Sequence, residues 1–375
     1  MRPSPGQIPA VALIAILTTL VIACSGDEQA PADTPAPSPT AAAPASPTSG
    51  TSIESTIISA TRAPAEAEAP ATETPEPREP ELQSYAVPSG SRPHDVAPAP
   101  DGGVWYTAQG SGELGLLDPE TGDVVEVPLG PGSAPHGVIV GPDGHAWVTD
   151  SGLNAIVKVD AVTHEVIRYD LPANRGRANL NTASFDNQGR IWFTGQAGVY
   201  GRLDPATGEM TVWDAPRGRG PYGITTTPDG DVYYASLAGS YLGKVDVETG
   251  EATVLDPPTA NQGTRRAWTD SQGRIWCAQW NAGQVAVYDP ATGAWQEWKL
   301  PGASPSAYAV YVDERDGVWL TDFGGNAIHR FNPETETFET FALLSTPGNV
   351  RQLHGREGEV WGAESAADQL VVIRF

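Results

Sequence analysis

The chain has 375 residues, room for one large domain or two average ones, and its 46 acidic and 22 basic residues give a formal charge of −24. That balance excludes nucleic acid or an anionic membrane surface as the main partner, because both require a basic footprint. No Cys/His spacing resembles a zinc site, and the two cysteines, Cys24 and Cys277, lie in regions of different character, so no intramolecular disulfide is expected.

Residues 1–24 read as an export signal: Arg2 is followed by an apolar run from Val11 to Ala23, too short for an ordinary spanning helix. The run ends Val21-Ile22-Ala23-Cys24, which resembles the lipobox of bacterial lipoproteins. The resemblance implies a lipid on Cys24 and a protein anchored to the exported face of a bacterial membrane. Residues 25–81 are rich in Pro, Ala, Thr, Ser and Glu and have almost nothing to bury, so they are expected to form a disordered, extended spacer.

From residue 82 to 375 one motif repeats. An aromatic recurs at Trp105, Trp147, Trp192, Tyr233, Trp276, Trp319 and Trp361, in steps of 41 to 45 residues, each just after a turn such as Asp143-Gly144. A second turn keeps the same beat, as in Asp118-Pro-Glu-Thr-Gly122 and Asp204-Pro-Ala-Thr-Gly208. A period of this length with several short strands per unit predicts an all-β, seven-bladed β-propeller of four-stranded antiparallel blades. In the second repeat the strands are expected at 136–141, 145–150, 155–160 and 165–171. The aromatic that opens each second strand should wedge between neighbouring blades. The seventh repeat stops after three strands, and Leu82 to Pro88 should supply the fourth and close the ring.

Period-2 patterning around Pro142-Asp143-Gly144 predicts a hairpin with His136 opposite Asp150. The same fourteen-residue spacing pairs His94 with Ala108, Asn181 with Gly195, Tyr222 with Ser236, Arg265 with Gln279, Tyr308 with Asp322 and Val350 with Glu364. All should lie on one rim around the central channel. The loops entering that rim are rich in arginine: Arg92, Arg175, Arg177, Arg217, Arg219, Arg265, Arg266 and Arg351. Arginine suits carboxylates and phosphates, so an anion-receptive mouth is expected, binding a small-molecule or anionic ligand through His94, Tyr222, Arg265, Arg266 and Tyr308. His145, His164, His329 and His354 read as surface residues. His94 and His136 hold equivalent places 42 residues apart, each after a proline, and with Asp150 form an acid–base or metal site. A monomer is expected.

Pro135-His-Gly-Val138, Gly141-Pro-Asp-Gly144, Trp147-Val-Thr-Asp150 and Asn154-Ala-Ile156 together resemble the blade signature of the virginiamycin B lyase (streptogramin B lyase) family. Related runs stand at Trp192-Phe-Thr194, Trp319-Leu-Thr-Asp322 and Asn326-Ala-Ile328. The resemblance implies a propeller that opens a cyclic ester by magnesium-assisted C–O elimination. It further implies that His94 contacts substrate, His136 is the base and Asp150 is a magnesium ligand. Ala134 stands where the family pattern places a second acid. Two other functions fit the fold. One is a non-catalytic binding propeller using the arginine rim. The other is a gluconolactonase-like lactonase, whose calcium site would have to come from Asn181, Asp322 and Glu364.

Overall fold

The structure is a computed structural model and describes residues 79–375. The expected signal segment with Cys24, and nearly all of the expected spacer, lie outside the described residues. Seven four-stranded antiparallel sheets account for 28 strands. Six blades are each built from four consecutive strands, lettered A to D from the axis outward. In blade 2 these are Pro135–Val140, Ala146–Asp150, Ala155–Val159 and Val166–Asp170, all within one residue of expectation. The seven A strands pack side by side around the central channel. The single helical element among the described residues is a 3-10 turn at Ala173–Arg175.

Ring closure follows the expected route. Glu81–Ala86 pairs with Gln369–Arg374, in register Glu81–Arg374 to Ala86–Gln369, so the first described strand is the D strand of blade 7. The pairing covers an edge that would otherwise expose a row of unsatisfied amides and carbonyls.

The recurring aromatic is the wedge between blades. Trp147 packs on Leu180, Ile191 and Phe193 of blade 3, Trp276 on Val310 and Val318 of blade 6, and Trp361 on Val96 and Val104 of blade 1. Six of the seven are tryptophans buried to 2 % exposure or less, and an acid at the A–B turn fixes the indole in most blades. Trp192 Nε1 donates to Asp186 at 2.8 Å, Trp276 to Asp270 at 2.9 Å and Trp319 to Asp313 at 2.8 Å. The indole thus keeps its polar handle satisfied while its rings fill the gap. Cys277 is a buried core residue, and burial pushes its thiol upward.

Every A–B hairpin carries a one-residue bulge near the rim. In blade 2 the register runs Val140–Ala146 to Gly137–Thr149, then jumps to Pro135–Asp150, leaving His136 as the extra residue. A bulge re-aims a side chain and tightens the local twist. Here it turns seven side chains toward the axis.

Candidate functional site

The bulges set the site. In blades 1 to 6 the residue following the last rim-side pair is His94, His136, Asn181, Tyr222, Arg265 and Tyr308, and in blade 7 it is Arg351. A threonine in strand B holds the bulge open in several blades. Thr149 Oγ1 accepts the Gly137 amide at 2.9 Å and donates to the Asn181 carbonyl of blade 3. Thr107 accepts the Asp95 amide and donates to the His136 carbonyl, each at 2.9 Å. One hydroxyl therefore satisfies the amide that the bulge frees and ties two blades together. Gly137 is required here, because a Cβ would collide with the Asn181 carbonyl.

His94 and His136 lie ring to ring, centroids 3.8 Å apart and tilted by 43°, with both side chains buried. His136 Nδ1 is 3.1 Å from the Asn181 carbonyl. A carbonyl accepts only, so Nδ1 carries the proton and the Nε2 lone pair faces the channel mouth, 3.3 Å from the Tyr222 hydroxyl. Both imidazoles are held well below the ordinary range. For His94 the cause is burial, then the charges of Arg266, Arg351 and Arg265; for His136 it is burial, then His94, with Asp95 opposing. Two neutral imidazoles in contact are the result.

Across the mouth, the Tyr222 and Tyr308 hydroxyls are 2.7 Å apart. Arg265 lies over Tyr308 at 3.6 Å and over Tyr222 at 4.3 Å, and its NH2 group donates to the Tyr222 hydroxyl at 3.0 Å. Arg351 donates to the Tyr308 hydroxyl at 3.3 Å and to Ser365 at 2.7 Å. Below them Arg266 of blade 5 reaches across the axis and grips both Asp95 oxygens, at 2.6 and 2.9 Å. Asp95 also meets His94 Nδ1 at 2.8 Å. This buried pair separates the mouth from a cavity of about 240 Å³ farther down the channel, lined by residues including Ile224, Trp268 and His354.

Several expectations change. Asp150 is not opposite His136; Pro135 is, because of the bulge. Its carboxylate instead fastens its own loops, accepting from Ser133 Oγ at 2.5 Å, the Ala134 amide at 3.0 Å and the Gly152 and Leu153 amides at 2.9 Å each. The other pairings slip in the same way; only Val350 with Glu364 stands as read. His329 is buried between Thr340 and Asp322, and His354 lines the channel against Trp268, so neither is a surface residue. Of the remaining rim arginines, Arg175 pairs with Asp214, Arg217 with Asp256, and Arg177 donates to the Ser151 carbonyl, all away from the axis. Asp322 accepts the Ser306 and Gly324 amides and Glu364 accepts Ser345, so the proposed calcium trio stays dispersed among its own loops. Asp95 is the residue that sequence reasoning missed; Arg351 was read as a rim arginine, but Val350 was taken for the ring position that it holds. Asp95 was signalled by Pro93-His94-Asp95 where blade 2 has Pro135-His136-Gly137.

The magnesium arrangement implied by the sequence resemblance does not fit these residues. The Asp150 oxygens are engaged by four donors, the Ala134 amide among them, and Ala134 has no side-chain carboxylate to offer a metal. The ligand-type atoms that do converge belong to His94, Asp95 and His136, all buried. Two imidazoles and one carboxylate are not the all-oxygen set that magnesium takes, and Arg266 already occupies the carboxylate.

With this geometry in hand, comparison with known proteins is informative. The profile of the virginiamycin B lyase family matches residues 76–291, more than half of the chain. The chain belongs to the virginiamycin B lyase family. Among solved structures, virginiamycin B lyase from Staphylococcus aureus superposes with a TM-score of 0.73 at 19 % identity, covering 79 % of this chain and all of that one. A streptogramin B lyase gives 0.72 at 22 % identity, over 79 % of this chain and 97 % of the other. At these identities the structural likeness speaks for the fold. A Rhizobium meliloti (strain 1021) protein named "Putative sugar lactone lactonase" is 32 % identical over 109 residues, 27 % of this chain and 37 % of that protein's length. The chain therefore spans little more than a third of that relative.

Proposed function

We propose that this protein is a carbon–oxygen lyase that opens an ester or lactone by β-elimination at the channel mouth, tethered through Cys24 to the exported face of the envelope. The observation that carries the reading is the pairing of a fixed base with two arginines that no carboxylate among the described residues neutralises. His136 is locked as the Nδ1–H tautomer by the Asn181 carbonyl. Beside it, Arg265 and Arg351 take part in no ion pair among the described residues.

The chemistry follows from the parts. His136 Nε2 removes the proton on the carbon next to a carbonyl. The freed electron pair forms a carbon–carbon double bond to the neighbouring carbon as its bond to oxygen breaks, and the ester leaves as a carboxylate. Elimination thus creates an anion in the mouth, and Arg265 and Arg351 are the groups placed to receive it. His94 packs on His136, keeps it neutral and presents its edge to substrate. No step is assigned to magnesium. Membership of a family named for a lyase supports the same reading.

The test is incubation of the full chain with quinupristin, the compound bound in a solved variant of the Staphylococcus aureus enzyme, and with a panel of esters and lactones. Elimination opens a cyclic ester to a product of unchanged mass carrying a new double bond, and splits an open-chain ester into an acid and an alkene whose masses sum to that of the substrate. His136→Ala should reduce turnover by at least about 100-fold while leaving the fold intact. A product heavier by one water would instead mean hydrolysis by a lactonase. Saturable binding of an anionic compound, indifferent to chelators and without turnover, would mean a binding propeller. In cells, Cys24→Ser should release the protein from the membrane fraction.

A further inference from the structure

Two guanidinium groups converge on one phenol. Arg265 stacks on Tyr308 at 3.6 Å and Arg351 donates to its hydroxyl at 3.3 Å. Arg266 beside them is neutralised by Asp95, but no carboxylate among the described residues pairs with the other two. Tyr308 is 2 % exposed, with Phe323 stacked on one side at 4.6 Å and Trp280 edge-on at 5.7 Å. Partly buried cations without a counter-ion are costly, and an ionisable phenol whose ring lies under one guanidinium and whose hydroxyl accepts from the other can supply one.

The hydrogen-bond distances agree. Tyr222 has a single hydroxyl proton and two acceptors, Tyr308 at 2.7 Å and His136 Nε2 at 3.3 Å. At 2.7 Å the Tyr222 hydroxyl can donate to a Tyr308 oxygen that already accepts from Arg351.

We propose that Tyr308 is held as a phenolate and forms the far end of a proton relay running His136–Tyr222–Tyr308 across blades 2, 4 and 6. The relay's use in turnover rests on the elimination reading above; the phenolate does not. In that turnover, His136 gives up the proton it has taken to the Tyr222 oxygen as Tyr222 passes its own to Tyr308. The products are neutral imidazole and two neutral phenols. Loss of the Tyr308 proton to water restores the phenolate between its arginines.

The charged and titratable groups around Tyr308 act in one direction. Blade 5 contributes Arg265 and Arg266, blade 7 contributes Arg351 and blade 4 contributes Tyr222, while Asp322 and His329 of its own blade are engaged with each other and with the loop amides. Burial opposes ionisation of Tyr308, the three arginines outweigh it, and the hydroxyl titrates below the ordinary phenol value; burial raises Tyr222, which stays protonated.

Titrating the full-length protein while following tyrosinate absorption tests this. One of the 11 tyrosines should already be ionised at about pH 7, so that tyrosinate absorption is present at neutral pH and its titration step, lying below neutrality, vanishes in Tyr308→Phe; a first step above about pH 7 would overturn the phenolate. Arg351→Gln and Arg265→Gln should each push the step upward by about one unit. Identical titrations of wild type and Tyr308→Phe would overturn the proposal. If Tyr308→Phe does not fold, an unmoved first step in both arginine variants overturns it equally. A protein with no lyase activity but an early tyrosine step would defeat the proposed reaction and leave the phenolate standing.

Discussion

At the scale of single residues, the buried histidines tie function to acidity. His136 can act as a base only while neutral, and burial keeps it neutral below the ordinary imidazole value. The acid limb of kcat/KM should accordingly fall below pH 6.5, the unperturbed value. Stability follows the same sign. The folded state resists protonation of His94, His136 and His354, and burial lowers His354 to about 4, whereas the unfolded chain takes up protons near 6.5. Stability is full above that value and should decline as pH falls from 6.5 toward about 4, before exposed aspartates such as Asp160, held at about 2 by backbone amides, begin to titrate. Chemical denaturation across this range checks it, and His354→Phe should flatten part of the decline. His94 and His136 were legible from the sequence because a shared Pro-His and a 42-residue step put them at equivalent places. Asp150 was misread because fourteen-residue arithmetic is right from the turn up to Gly137–Thr149 and fails at the next residue.

At the scale of the hairpin, the bulge and its threonine explain what the pattern hid. Period-2 alternation reports strands and turns, and it placed the blade 2 strands to within a residue. It cannot show an extra residue inserted after the alternation is established. Blade 7 adds a second difficulty. Its A–B turn is only two residues, Glu357 and Gly358, against five in blade 2, so counting back from Trp361 lands on Val350 and passes over Arg351. The threonine of the Trp-Val-Thr-Asp run carries physical information of its own, since its hydroxyl satisfies the freed amide and a neighbouring carbonyl at once. Thr149→Val keeps the shape and removes both bonds, leaving a buried amide unpaired. It should cost about 1–3 kcal/mol in equilibrium unfolding and lower His136-dependent turnover out of proportion to that loss.

At the scale of the whole molecule, closure by Glu81–Ala86 predicts how truncation behaves. A chain beginning at Glu79 keeps the clasp and should unfold at the same denaturant concentration as the full protein. One beginning at Pro88 loses every pair with Gln369–Arg374 and should unfold at a clearly lower concentration, or aggregate through the bared edge. The ring was legible because an aromatic and one turn marker kept one period over seven units, and a second turn marker kept it over six. The site was less so, because its residues meet through the axis. Arg266 and Asp95 are 171 positions apart, and no local pattern announces their contact. The outward pairing of Arg175 and Arg217 was equally invisible, since their acidic partners lie 39 residues along the chain, on the next blade.

The bulges also bear on how such a protein changes over time. Each of the seven inward-turned side chains sits in a backbone seat that neighbouring pairs define, and the hairpin does not depend on that side chain for its register. Histidine, asparagine, tyrosine and arginine already occupy equivalent seats in this one chain. A point mutation at a seat therefore alters the chemistry offered at the axis while the scaffold around it carries on unchanged. Where on the ring a reaction is catalysed can drift from blade to blade by single substitutions, with folding competence kept at each step.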